Sequence, residues 1–380
     1  MNCDILIRGG RVIDPAVNRD EIGDIAIYNG KIGPLPTPGD TVSEVIDATG
    51  CLVLPGLIDF HGHVFFRGTE NSVAPDSAFL PYGVTTVVDG GSAGTANFEV
   101  FQQAVVNHSL MRICSFVNVS PTGQTTNRYD ENLDPDCFDA DKIGQLLEQY
   151  QGTLRGIKLR HSRGIVKEFG MAPLKKTLAI AERFDCPIMV HATNPPNDTS
   201  DLADLLRSGD IFAHMYHGTG STILTETGNI KAAVQSARDR GVLFDVAHGR
   251  TNFTFATARQ ALAAGFEPDI ISSDTTPLTL YRPPAMGLPF LLSKFLAMGL
   301  SLTELVRTCT ATPATALGLN GKIGTLAPEA YADVAIYRLT KEAVTFSDFK
   351  GELLLGESVL VPQLTLLGGR LVYRHITFNV

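Results

Sequence analysis

The chain has 380 residues, 44% hydrophobic and 19% charged, with a formal net charge of −9. That length suits a barrel of about 250 residues with an added module, and the composition supports a large core and excludes gross disorder. The acidic balance without any basic stripe excludes a nucleic-acid partner, and no apolar run approaches the ~20 residues that would make it a membrane protein.

Cysteines 3, 51, 114, 137, 186 and 309 are scattered with no C-x-x-C pair. This pattern fits a reduced cytoplasmic protein better than a disulfide framework or a cysteine zinc site. The opening MNCDILIRGGRVIDP carries an arginine and an aspartate too early for a signal peptide.

In chain order, DILIRGGRVID, DIAIYNGKIG and EVIDATGCLVL alternate apolar and polar residues between glycine turns, which predicts antiparallel strands. ADVAIYRL, VLVPQLTLLGG and RLVYR do the same near the C-terminus. Both ends are therefore expected to build one small β-sandwich, residues 1–53 plus 325–380, around an inserted barrel at 54–324. Within the insert, strands are predicted at 54–63, 83–89, 112–119, 154–160, 186–192, 210–215, 241–248 and 269–274. Helical stretches such as PLKKTLAIAERF, NIKAAVQSARDR and ATARQALAAG separate them. Eight parallel strands alternating with helices predict an α/β fold, a (β/α)8 TIM barrel, with a doubly wound open sheet as the alternative. The longer loops, 120–139 and 275–288, follow strand C-terminal ends, where barrel active sites lie.

His61 and His63 are two residues apart on the first barrel strand, so both side chains and Asp59 share a face. Two histidines at this spacing on a strand end point to metal binding, against a structural role for either alone. Lys158 lies inside the apolar strand LRGIKLR. Burial disfavours its ammonium and lowers its pKa toward the neutral amine, which can add CO₂ to become a carbamate bridging two metals. The alternative is a lysine paired with a barrel carboxylate such as Asp89 or Asp274. Arg160 shares the Lys158 face.

His191 and His214 end successive strands, and four imidazoles at barrel strand ends suit borderline divalent ions such as zinc. His217, in the following loop, is open between a ligand, a substrate contact and a supporting group. His248 points to substrate contact or to a structural role. Asp274 ends the last barrel strand, where it either caps a turn or holds and moves a proton beside the metals. His108, His161 and His375 read as structural or surface residues. Arg128, Arg250 and Arg282 on mouth loops, with Arg160, would form a local anion receptor in an acidic protein; the alternative is that the loop arginines are solvated surface groups.

Assembled in order, the opening DILIRGGRVID, LPGLIDFHGH, the lysine strand, both later histidines, SSD and the tail TATPATALGL…GKIGTLAPEAYADVAIY resemble the amidohydrolase superfamily over nearly the whole length. The resemblance is to its dihydroorotase-like branch, among members similar to deacetylases of acylated amino or hydroxy acids. It implies that His61 and His63 bind one metal, that His191 and His214 bind the other, and that Lys158 bridges them as a CO₂-derived carbamate. Asp274 is then the catalytic acid/base; Arg160, His217 and His248, from their positions in the sequence, are the candidate substrate contacts. Two divalent ions, expected as Zn²⁺, would share an attacking hydroxide.

The implied activity is a metal-dependent hydrolase cleaving the amide or ester bond of a small acylated carboxylate, an N-acetyl amino acid or O-acetyl 2-hydroxy acid. A cyclic amidase of dihydroorotase or hydantoinase type is the second reading, and an adenine-type deaminase the third. The superfamily's deaminases generally lack the bridging lysine and carry a glutamate near the fifth-strand histidine, where this chain reads HATNPPND. A non-enzymatic homologue would have lost ligands, and here every expected one is present. Barrel enzymes of this size often form homo-oligomers.

Overall fold

The computed structural model describes residues 2–378; Met1, Asn379 and Val380, which the expected sandwich segments include, lie outside the described residues. Two sheets organise the chain. The first comes from both ends: β1 (Asn2–Asp14), β2 (Arg19–Tyr28), β3 (Lys31–Gly33), β4 (Thr41–Asp47) and β5 (Leu52–Pro55), then three late strands. These are β13 (Val334–Ser347), β14 (Leu353–Leu367) and β15 (Arg370–Arg374). Alternation carries this sheet: Cys3, Ile5 and Ile7 of β1 turn inward and meet Ile25, Ile27, Val334, Ile336 and Leu364. The β-sandwich built from both termini is therefore present.

Its pairing differs from the expectation in one respect. β4 and β5 run parallel to β1, whereas β5 pairs antiparallel with β13. The connection from β3 to β4 returns the chain to the same end of the sheet, so strict hairpin succession fails there. Leu54 and Pro55, expected at the start of the first barrel strand, belong to β5; the barrel begins after Gly56.

The barrel strands are β6 (Leu57–Gly62), β7 (Val84–Asp89), β8 (Arg112–Asn118), β9 (Leu154–Arg160), β10 (Ile188–His191), β11 (Ile211–Ala213) and β12 (Leu243–Asp245), all parallel and hydrogen-bonded in sequence order. Near-continuous burial of β6 and β7 fits strands covered on both faces. Helices intervene as read: Ala172–Arg183 buries Leu174, Leu178 and Ala181 at helical spacing, and Thr254 caps Phe255–Ala263.

The eighth barrel position, 269–274, is an extended segment rather than a regular strand. It bridges β12 at Asp245–Ile270 and reaches β6 at Gly62–Thr275, closing the circle. Asp274 interrupts the ladder with a φ of 51°. No helix among the described residues is long and apolar enough to cross a membrane.

Candidate active site

The parallel register delivers the side chains to one end of the barrel. Lys158 is flanked by Asn118 and Met189, Arg160 by His191, and His191 by Ala213, so His214 follows one residue later at the same rim. His214 and Asp274 both hold left-handed backbone, at φ 68° and 51°. Non-glycine residues pay roughly 1–3 kcal/mol for such conformations, which persist where the surroundings over-determine them. Room for the lysine comes from Gly91, at φ 82°, where any Cβ would strike the Lys158 side chain.

His61, His63, Lys158, His191, His214, Asp274 and Arg160 all line one cavity of about 600 Å³. Nε2 of His63 lies 3.2 Å from Oδ1 of Asp274, and Nε2 of His61 lies 3.9 Å from the same oxygen. Ligand atoms of these three residues fall within 4.8 Å of one another. The rings of His191 and His214 are 4.1 Å apart, and those of His61 and His214 are 5.2 Å apart.

The hydrogen bonds assign the lone pairs. Ser92 Oγ directs its proton to Asp89 Oδ2 (2.7 Å), so it accepts from Nδ1–H of His63 (2.9 Å). Nε2 of His63 then offers a lone pair toward a carboxylate oxygen, an approach that a cation between them makes favourable. His214 donates Nδ1–H to the Ala247 carbonyl (2.6 Å), and its buried Nε2 has no hydrogen-bond partner among the described residues. These groups fit divalent metal ions, in accord with an imidazole and carboxylate donor set.

Burial drives His61, His191 and His214 well below the ordinary histidine pKa, keeping each neutral, the form able to bind a metal. Burial also lowers Lys158 to about 7, with Asp274 opposing and Arg160 assisting. The carboxylate pairing considered for Lys158 does not form: Asp89 is occupied by Val64 N and Ser92, and the lysine Nζ sits 3.0 Å from His61 Nε2. Burial opposes charge on Asp274; a proton on His63 Nε2 and positive charge on the surrounding imidazoles would outweigh it and hold the carboxyl below its usual range. With the imidazoles neutral, a cation in the cluster would have to supply that charge. Asp59, two residues deeper on β6, accepts from Ser273 N (2.9 Å) and is raised by burial to about 7.

Two expected substrate contacts do not reach the cavity. His217 is fully buried, lowered by burial to about 4, and takes a backbone N–H from Thr219 on Nδ1. His248 stacks on Phe253 and faces Lys294 Nζ through Nε2 at 2.8 Å, and it is not among the residues lining the cavity. Of the mouth-loop arginines, Arg250 lines the cavity, whereas Arg128 and Arg282 do not. His161 contacts Met171 Sδ, His108 lies in a short exposed turn, and His375 is on the surface.

Several residues join the site without having been anticipated. Asn252 donates to Asp274 Oδ2 at 3.3 Å and accepts from Thr193 Oγ1 at 2.9 Å. Glu131, in the long loop after β8, receives Arg160 at 2.8 Å. Phe349, from the turn between β13 and β14, forms an apolar rim with Leu278 and Ile165. Loop length was the only sequence signal for Glu131; none existed for Phe349.

The profile of the amidohydrolase family matches residues 52–356. A protein of Enterococcus faecalis named deacetylase is 30% identical over 98% of this chain and 99% of its own length. A solved structure described as an adenine deaminase superposes with a TM-score of 0.90 at 28% identity, covering 98% of this chain and 100% of that one. One described as a dihydroorotase gives 0.86 at 27% identity, covering 99% of each chain.

Proposed function

We propose that this chain, which belongs to the amidohydrolase family and is a hydrolytic enzyme acting on C–N bonds, is a deacylase of small acylated carboxylates. N-acetyl amino acids are the favoured substrates, with O-acetyl 2-hydroxy acids as their ester counterparts. The observation that carries this reading is a single cavity joining the His61, His63 and Asp274 cluster to arginines 160 and 250. Such a cavity suits a molecule with a scissile carbonyl at one end and a carboxylate at the other. The deacetylase name of the Enterococcus relative supports it.

In this proposal His61 and His63 would hold one divalent ion and His191 and His214 a second, with Lys158, carboxylated by CO₂, as a further ligand; zinc would suit the donors. Bound ions supply a water of lowered pKa and polarise the carbonyl. Asp274, ionised and oriented by Asn252 on its Oδ2, takes up the water proton and returns it to the leaving nitrogen or oxygen. Neutral imidazoles leave this carboxylate as the proton carrier.

The dihydroorotase reading remains second, supported by the 0.86 superposition and by a carboxylate on that substrate too. An adenine-type substrate would leave Arg250 without an anion. The deciding experiment is a screen of zinc-loaded protein against N-acetyl-D- and L-amino acids, acetylated 2-hydroxy acids, dihydroorotate and adenine. Acetate release is expected from the acylated acids. Turnover of dihydroorotate or adenine alone overturns the proposal.

A further inference from the structure

The charged residues lining the cavity are Lys158, Arg160, Arg250 and Asp274. Asp274 contacts His63, and Lys158 contacts His61. Arg160 is engaged differently: its Nη1 lies 2.8 Å from Oε2 of Glu131, whose side chain is only 3% exposed. The other oxygen, Oε1, is buried with no hydrogen-bond partner among the described residues. Turning Arg160 toward a ligand would strand a buried carboxylate without its one cationic partner, the costly way to break a buried pair. While the pair stands, Glu131 cancels most of the charge that a ligand would feel.

Arg250 contrasts with this. It is exposed at the rim, with no ion pair or side-chain hydrogen bond among the described residues. Its backbone position is fixed by Gly249, at φ 53°, where a Cβ would collide with Asp274 Oδ2 and Asn252 Nδ2. The chain is thus pressed against the acid/base carboxylate immediately before it presents a guanidinium to the cavity. An unpaired guanidinium with a rigid fork of donors suits a carboxylate.

We infer that Arg250, and not Arg160, receives the substrate carboxylate, while Arg160 is held by Glu131 as part of the wall. This rests on the acyl-carboxylate reading above.

The test uses metal-loaded Asp274→Asn protein, whose turnover is expected to be slowed about 10³-fold. Calorimetry compares N-acetyl amino acids, with side chains from alanine to phenylalanine, against their carboxamides. The acids are expected to bind more tightly by roughly 10- to 100-fold, the range of one charge-assisted pair. Arg250→Met should erase that preference while leaving carboxamide affinity and melting temperature unchanged. Arg160→Met should retain the preference; if it folds poorly, the Arg160→Met/Glu131→Gln double variant removes both charges and should retain it too. A preference that survives Arg250→Met, or disappears with Arg160, overturns the inference alone. No preference in the parent protein, or no binding of any acid, overturns the acyl-carboxylate reading and this inference with it.

Discussion

Two buried lysines, Lys158 and Lys294, share one solvation problem and meet it in different ways. Burial lowers each to about 7. Lys294, in the helix Leu288–Ala297, faces three acceptors: His248 Nε2 at 2.8 Å, Pro284 O at 2.8 Å and Ser347 O at 2.9 Å. Acceptors surround its nitrogen on three sides, and Phe253 and Phe255 close around it. Lys158 has one such neighbour among the described residues, the His61 nitrogen, and opens onto the cavity. A buried lysine in a sequence is therefore not yet a site. The saturated one ties elements together, and the one with free valence is available for chemistry.

The largest effect that would break this contrast is metal content. Lys158→Ala is expected to lose bound metal, measured by elemental analysis, and activity with it, with partial rescue by added short carboxylic acids. Lys294→Met should retain the full complement; the reverse pattern would sink the distinction. Next, Asp274→Asn should lower kcat by about 10³-fold, within the range for a lost acid/base group, with the fold intact by circular dichroism.

Lys294→Met should cost about 2–4 kcal/mol in urea unfolding, because it leaves His248 and two carbonyls without their donor. The smallest effect is its pH dependence. The folded pKa of Lys294, about 7, lies below the unfolded value near 10.5, so the unfolded chain binds more protons between them. The stability contributed by Lys294 should rise as pH increases from about 7 toward 10. Parallel urea midpoints of wild type and Lys294→Met across that window check the sign, and a constant difference would contradict it.

Much of the fold was legible because most barrel strands are short apolar runs ending in a polar residue, and alternation marked the terminal strands. The parallel course of β4 and β5 was not, since pairing partners are chosen by returning connections rather than by composition. The irregular eighth strand hid because Asp274 breaks its own ladder with a left-handed turn.

At the site, period-two spacing placed His61 with His63 and Lys158 with Arg160, and these residues do share the cavity. His248 shows where such reasoning stops. Its ring is drawn away by a lysine 46 residues later on a helix, a partner that no local spacing reveals. Asn252 and Glu131 lie on loops, where no periodicity predicts the direction of a side chain.

Phe349 gives the terminal sheet a consequence beyond scaffolding. The turn carrying it is held by Asp348, which accepts from Phe255 N (3.0 Å), Lys350 N and Glu352 N (both 2.9 Å), while Phe349 N reaches the Phe253 carbonyl. One wall of the cavity therefore emerges late in synthesis, long after the strands that bear the histidines. A ribosome-bound chain ending before β13 could assemble much of the barrel yet would lack this rim. The same hairpin offers a compact segment to exchange between relatives, altering the fit of a substrate side chain without touching a single candidate metal ligand.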